Sequence, residues 1–390
     1  MSEVKTDLKI DLNDLDKSNW KTYRFDEIAK NISERVDPNN TDLEVYVGLE
    51  HLDSGSIHIK RHGTPDDVNG TKLKFYKGDI IFGRRRAYQR KAGIAAWDGF
   101  CSAHALVLRA NPDVIDSQLF PFFLHSDLFM NRAVDISVGS LSPTINWGTL
   151  KHQEFQVPPM AVQKELSKLI ELKDNSIQNE ITILKNIEIT KHSLFNELHE
   201  LRYESYVNLE DLCDKISSGG TPNRAKEGEY FNGSISWVKT KELNDWLIEE
   251  TEEKITIEGL NNSSAKLYPP KTILLAMYGV TVGKIGIIQK EMACNQACCA
   301  LVVNENKVEH WFLFYYLIAL RSRLIALSVG SAQPNISSGI IKKLKIPNLA
   351  IDVQTSYSRK LRKLDETQYI VKTKIEDSKL LLSSLLNKVF

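Results

Sequence analysis

The densest chemistry in the chain lies between residues 84 and 91, where Arg84, Arg85 and Arg86 are followed by Tyr88, Gln89, Arg90 and Lys91. Arginine forks pair bidentately with phosphate oxygens or guanine edges, glutamine amides pair with adenine, and a tyrosine ring can stack on a base. The run falls between two predicted strands, so it is expected at a hairpin tip able to enter a groove of duplex DNA. Its counterpart in the second half of the chain reads Tyr278-Gly279-Val280-Thr281-Val282-Gly283-Lys284. One scaffold with two loop chemistries suits two recognition modules with different targets. Short donors and acceptors extend the set: Ser140, Ser142 and Thr144 in loop 137–145, Ser331, Gln333 and Asn335 in loop 328–336, and Lys239, Thr240 and Lys241 after Trp237. With Tyr278 and Lys284 these complete the residues expected to touch DNA.

No arrangement expected of a catalytic centre accompanies them. The chain has neither a GxGxxG turn nor a P-loop. Gly219-Gly220 precedes Thr221-Pro222, which reads as a turn rather than a phosphate cradle. The Asn-Pro-Pro-aromatic or Asp-Pro-Pro-aromatic motif of an amino-methyltransferase is missing as well. Pro112-Asp113 could join Glu171 and Lys173 in a nuclease set, but the last two fall inside a predicted coiled coil. The five cysteines (Cys101, Cys213, Cys294, Cys298 and Cys299) show no disulfide-framework spacing, and three of them sit in a strand-like run, Ala293 to Val303, without a partner CxxC. The expectation is reduced thiols, no metal and no catalytic residue.

The elements that must position these loops follow from length and patterning. At 390 residues the chain is too long for one ordinary core and long enough for two domains plus connecting helices. Hydrophobic residues at 42% and charged residues at 26% argue against a disordered or membrane class. The longest apolar run, Trp311 to Leu320, is half of what a membrane span requires. The first residues lack the apolar stretch of a secretory signal, so a cytoplasmic location is expected. Net charge is zero, which means that any nucleic-acid surface must be local, and acidic residues on the helices and the N-terminal arm are expected to offset it.

Ala161 to Tyr203 carries no Pro or Gly and repeats a seam in steps of four and three, through Leu166, Ile170, Lys173, Ile177, Glu180, Leu184, Ile187, Lys191, Leu194, Leu198 and Leu201. The C-terminal stretch repeats it through Tyr357, Leu361, Leu364, Gln368, Val371, Ile375, Ser378, Leu382, Leu385 and Val389, with Tyr357 lying 191 positions after Leu166. Where the first seam is polar, at Lys173, Glu180 and Lys191, the second has Leu364, Val371 and Leu382 at that offset, so the two stripes are expected to suit each other. Loops 137–145 and 328–336 share the offset, as do Arg132 and Arg323. A unit of about 190 residues is therefore duplicated in tandem. In the first half, strands are expected at Glu44–Leu49, Ser56–Lys60, Lys72–Phe75, Asp79–Phe82, Gly93–Trp97 and His104–Arg109, with one helix over Leu119–Ala133. The second half repeats the plan, its helix running from His310 to Leu327.

A Gly-Ser-x-x-Pro-x-Ile loop in each half, the Val157-Pro158 and Ile346-Pro347 exits, Gln163 and Gln354 near the helix starts and the duplicated long helix together resemble the specificity subunit of type I restriction-modification systems. The resemblance spans nearly the whole chain. It implies an α+β fold in which two similar mixed α/β target-recognition domains are separated by two long antiparallel coiled-coil helices in a pseudo-two-fold arrangement. The corresponding divisions are a polar arm over 1–19, domains over 20–160 and 204–349, and helices over 161–203 and 350–390. The resemblance also implies double-stranded DNA and two methyltransferase subunits as partners, with room for a restriction-translocase subunit. No cofactor is expected on this chain, because S-adenosylmethionine would sit on the methyltransferase subunits. The Pro159-Met160 and Asn348-Leu349 exits depart from the family's usual Pro-Leu-Pro pattern. Two other readings fit the residues: the specificity subunit of a type II-like restriction-methylation enzyme, and a non-DNA scaffold of two ligand-binding domains on a coiled coil.

Overall fold

The computed structural model describes residues 15–200, 205–328 and 335–390. They form two compact units, Met1–Ile183 with Val371–Phe390, and Leu184–Ile370. Both are mixed α/β, and each long helix is continuous across the division, Met160–Glu200 in the centre of the chain and Ile351–Val389 at its end.

In the first unit a four-stranded antiparallel sheet runs in the order Ala29–Ile32, Ala105–Ala110, Ile80–Gly83, Ala92–Ile94. A second sheet orders Arg35–Val36, Lys72–Phe75, Gly99–Cys101 and Tyr46–Val47, the last pair parallel. The predicted strand over Ser56–Lys60 is only a bridge between His58 and Ile94. The helix expected over Leu119–Ala133 is two helices, Phe120–His125 and Asp127–Asp135. Ser126 breaks it: its backbone is extended and its hydroxyl accepts the Phe129 N–H at 3.2 Å, a side-chain cap that competes with helix continuation. Phe25, Phe123, Phe129 and Phe155 fill the core with ring centroids 5.2 to 6.0 Å apart. Truncating any one of these rings to Ala would cost about 3–5 kcal/mol.

The second unit repeats this plan with longer sheets. Cys213–Ser218, Cys298–Val303, Ile273–Ala276, Ile285–Ile288 and Leu247–Ile248 form one, and Lys254–Ile255, Phe231–Val238, Met292–Cys294 and Leu267–Tyr268 the other. Here too the predicted helix is divided, into His310–Ala319 and Arg321–Ala326. Each unit closes with a short antiparallel pair just before its long helix, Lys21–Arg24 with Glu154–Val157 in the first and Tyr206–Asn208 with Lys345–Pro347 in the second. A buried glutamine then fixes each helix to its unit. Gln163 donates to the Val114 and Pro158 carbonyls at 2.9 and 2.8 Å and accepts the Asp116 N–H at 2.7 Å. Gln354 donates to the Leu349 carbonyl at 2.7 Å and accepts the Glu309 N–H at 2.8 Å. The same amide thus satisfies loop and helix-end backbone in both copies.

The seam follows the spacing. Leu166, Ile170, Ile177 and Ile187 are buried on the central helix, and Tyr357, Leu361, Ile375 and Val389 on the terminal one, whereas the side chain of Leu198 and all of Leu201 lie outside what the structure describes. Within the first unit Leu166 and Ile170 pack with Leu386 and Val389, and Glu180 pairs with Lys374 at 3.0 Å. Within the second, Lys191 donates to Asp365 at 2.6 Å and to Gln368 at 3.1 Å, and the Tyr357 hydroxyl donates to Glu197 at 2.6 Å. Rising numbers meet falling ones in each unit, so the helices pack antiparallel there. This corrects one expectation. The polar seam residues Glu180 and Lys191 are not covered by the leucines and valine at their own offset, because an antiparallel partner presents other positions; each finds an opposite charge instead. Glu180 is buried with one carboxylate oxygen lacking a partner, while Lys374 is largely exposed. Lys374→Ala should therefore destabilise the protein by roughly 1–2 kcal/mol, less than for a fully buried pair because Lys374 faces solvent. Glu180→Leu should recover or exceed wild-type stability by filling the seam with an apolar group. Thermal unfolding of the two variants checks this, and a Glu180→Leu protein less stable than Lys374→Ala would refute it.

Candidate nucleic-acid interface

Between Ile80–Gly83 and Ala92–Ile94, paired with Phe82 opposite Ala92, the chain forms the expected hairpin tip. The tip is not free-standing. Ile145 N–H donates to the Arg84 carbonyl at 2.9 Å, Arg86 N–H donates to the Pro143 carbonyl at 2.7 Å, and Arg85 bridges Thr144. Val138 and Thr144 exchange backbone hydrogen bonds of 3.0 and 2.9 Å, which makes the Gly-Ser loop a small hairpin of its own, with Ser140 and Leu141 exposed at its turn. Tertiary pairing thus brings together two segments that the sequence could only name separately: Arg84–Arg86 and Ser142–Ile145.

The side chains of the tip divide into two groups. Arg85, Arg86 and Tyr88 are exposed, and none of the three donates from its side chain to another described residue. Arg84 is half-buried, its Nε without a partner. Arg90 is turned inward, pairing with Asp127 at 2.5 Å and donating to the His125 carbonyl at 2.7 Å, and Lys91 donates to the Leu49 carbonyl at 2.7 Å. These two cations brace the tip, and Arg90 holds the Asp127 carboxyl below the usual range. The Gln89 carbonyl accepts from the Ser54 hydroxyl at 2.6 Å. Two residues that the sequence did not single out stand beside the arginines. His104 is held below the ordinary histidine range by desolvation and by the nearby charges of Arg85, Arg84 and Lys72. Only the fold places His104 and Lys72 there, and their spacing gave no signal. His58 and His62, four residues apart, make no ligand pair: His58 lies 2.6 Å from Asp174 and the His62 ring packs on Trp97.

The second unit builds the same platform. Ile336 N–H donates to the Met277 carbonyl at 2.9 Å and Tyr278 bridges Asn335, so Met277, Tyr278 and Asn335 stand where Arg84, Arg85 and Thr144 stand in the first. Tyr278, Lys284 and Asn335 are exposed and Val280 is fully so, while Ser331 and Gln333 lie outside the described residues. Lys239, Thr240 and Lys241 occupy a different place, the turn after Phe231–Val238, where the Lys239 N–H donates to Glu242 at 2.7 Å. Its counterpart is the turn Leu49–His51, where Gly48 N–H donates to His51 at 3.0 Å. Gly219 and Gly220 allow close backbone approach: a Cβ on the first would collide with the Cys294 carbonyl oxygen, and one on the second with the Ala265 nitrogen. Trp237 Nε1 donates to the Gly220 carbonyl at 2.9 Å.

Aligning the two tips shows where the first is strained. Arg86 and Arg90 adopt left-handed φ values of 54° and 51°, and the matching positions of the second tip are Gly279 and Gly283, at 69° and 80°. A side chain in that region costs roughly 1–2 kcal/mol, which glycine avoids. Arg90 offsets the cost through Asp127 and His125, but Arg86 has no such partner. Arg86→Gly should therefore leave the protein as stable or more stable, by about 0.5–1 kcal/mol, while Arg90→Gly destabilises it. Denaturant unfolding of both variants checks the pair; Arg86→Gly falling as far as Arg90→Gly would show that the Arg86 side chain supports the fold after all.

Comparison with known proteins places this geometry. The family described as type I restriction modification DNA specificity domain matches twice, over residues 17–189 and 203–378. The chain is 23% identical over 381 residues to the MjaX type I restriction enzyme specificity subunit (a provisional assignment) of Methanocaldococcus jannaschii, covering 87% of this chain and 85% of that protein. It is 26% identical over 214 residues to the EcoR124I/EcoR124II specificity subunit of Escherichia coli, covering 53% and 52%. In fold it is similar to the type I system S subunit from M. genitalium, with a TM-score of 0.61 at 15% identity over 95% of this chain and 96% of that one. A chain from a structural study of complex assembly in a type I restriction-modification system gives a TM-score of 0.60 at 19% identity, covering 95% and 97%. With two copies of the specificity domain accounting for most of its length, the chain belongs to the family of type I restriction-modification specificity subunits.

Proposed function

We propose that this chain is the non-catalytic DNA-recognition subunit of a type I restriction-modification complex, each unit reading one half of a bipartite site in double-stranded DNA. The observation that carries the reading is the repeated platform: in both units a hairpin tip pairs with the two residues after the loop proline, Thr144-Ile145 and Asn335-Ile336, through a matching bridge and backbone hydrogen bond and with different side chains. Arg85, Arg86 and Tyr88 offer the first unit phosphate and base-edge donors and a stacking face, whereas Tyr278 and Asn335 offer the second an aromatic face and an amide. The long helices set the separation of the half-sites and dock two methyltransferase subunits, which bring S-adenosylmethionine for adenine methylation, with room for a restriction-translocase subunit. No helix of the described residues is long and apolar enough to cross a membrane, and a cytoplasmic location suits an enzyme complex acting on DNA.

Mapping methylated adenines in a genome that carries the chain with its partners tests the reading. Tyr278→Ala/Asn335→Ala, which removes the second unit's aromatic face and amide, should relax one half of the methylated site and leave the other unchanged, at about 1–3 kcal/mol for each base edge no longer read. Relaxation of both halves, or of neither, would remove the assignment of one unit to one half-site. The spacing role predicts a second outcome. A seven-residue insertion after Leu172, matched by seven after Leu381 to keep the antiparallel seam in register, lengthens the rod by roughly 10 Å. Sites selected from a random duplex pool should then keep both half-sites and gain about three base pairs between them. Selected sites with the original spacer would mean that the helices do not measure the DNA.

A further inference from the structure

The two units differ in where their cations go. On the first tip Arg84, Arg85 and Arg86 make no ion pair among the described residues, and Lys72 and His104 add no carboxylate: the Lys72 ammonium donates to backbone carbonyls, those of Asn69 and Gly70. On the second unit a run of glutamates lies against the cations. Lys239 pairs with Glu253 at 2.5 Å and with Glu252 at 3.4 Å, Lys241 pairs with Glu252, and Arg224 pairs with Glu253 at 2.6 Å. Glu250 holds Lys290 at 2.5 Å and Lys254 at 3.8 Å. The segment is fixed in place: Glu252 N–H donates to Glu242 at 2.8 Å, and the Thr251 hydroxyl donates to the Glu253 carbonyl at 2.7 Å. Lys239 is held above the usual lysine range by Glu253, and Glu252 and Glu253 below the usual carboxylate range by their lysines. Arg224 is occupied twice, since its guanidinium also lies 4.1 Å from the Phe231 ring centroid. Lys284 is exposed near the second tip with no carboxylate on it.

The strain points the same way. Arg86 holds a conformation that costs free energy and has no side-chain partner within the protein that would offset it, where the second copy has the unstrained Gly279. Strain that persists without an internal compensation is expected where a side chain meets a ligand.

We propose that the two units grip the duplex unequally: Arg84–Arg86 of the first supplies phosphate contacts, and the second, its lysines neutralised by Glu252 and Glu253, binds chiefly through uncharged groups. This rests on the reading of both units as DNA-recognition domains. The division follows from counterion release, because a cation already paired to a protein carboxylate displaces little condensed salt from DNA.

The full chain is titrated with random-sequence duplex DNA between roughly 50 and 200 mM salt, and the slope of log affinity against log salt is read, each phosphate neutralised contributing about 0.9. Arg85→Ala/Arg86→Ala should flatten the slope by nearly two, and Arg85→Lys/Arg86→Lys should restore most of it, because charge rather than fork geometry sets this effect. Lys239→Ala/Lys241→Ala should leave it unchanged. Glu252→Gln/Glu253→Gln should tighten binding and steepen the slope by one to two, as freed lysines reach phosphate. Thermal unfolding of each variant identifies a folding defect; if the glutamine pair does not fold, the lysine-to-alanine variant decides. Flattening by Lys239→Ala/Lys241→Ala equal to that of the arginine variant overturns the unequal grip, as does a slope that the arginine variant leaves unaltered. A wild-type chain that binds no duplex even at the lowest salt would instead refute the recognition function itself.

Discussion

Antiparallel packing along the two long helices is the constraint on which the rest of each unit depends. A helix of 41 residues cannot be covered by one small domain, and its seam stays in solution unless another helix lies along it. The chain meets this by duplication. Each unit contributes part of the central helix and part of the terminal helix, and each unit's own core attaches to that pair through a buried glutamine at the helix start. Because Gln163 and Gln354 satisfy backbone groups of both the loop and the helix end, the helix direction is fixed relative to the sheets of its unit. Polar residues on the seam then act as register marks: Glu180 with Lys374 and Lys191 with Asp365 can meet in only one alignment of the two helices.

From that frame the proposed recognition surface follows by backbone pairing. The Gly-Ser loop lies between the domain's helices and the last short strand, and its hydrogen bonds to the hairpin tip hold the tip without constraining its outward side chains. The platform does not depend on the identity of the tip side chains, because Arg84 and Met277 use matching backbone partners, Ile145 and Ile336. The first unit shows the limits of this freedom. Arg90, at a left-handed position, is retained through Asp127, whose N–H donates to Asn387 of the terminal helix at 3.0 Å, so a loop residue and the helix share one hydrogen-bonded chain. In the second unit Gly283 removes the strain, and Arg321 donates to its carbonyl at 3.0 Å while pairing with Asp245. Two solutions to one turn coexist in one polypeptide.

The sequence by itself determined the duplication, the long helices and the character of the tips. A seam in steps of four and three is written in residue type, an offset of 191 needs no coordinates, and a triple arginine between two β-patterned runs can hardly be other than a turn. It also placed Gln163 and Gln354 correctly at the helix starts. The tertiary structure alone decided which cations are free. Arg90 and Lys91 lie within a few residues of exposed neighbours and read identically in sequence, but Asp127 and the Leu49 carbonyl, distant along the chain, turn them inward. Lys239 and Lys241 likewise look available until Glu252 and Glu253 fold against them. The breaks at Ser126 and Leu320 were hidden because apolar periodicity continues through both, and a capping hydroxyl at the first outweighs it only once the domain core fixes the direction of the second helix. Local pattern specifies which elements form, whereas charge pairing over long sequence separation depends on a few tenths of a nanometre that only packing sets.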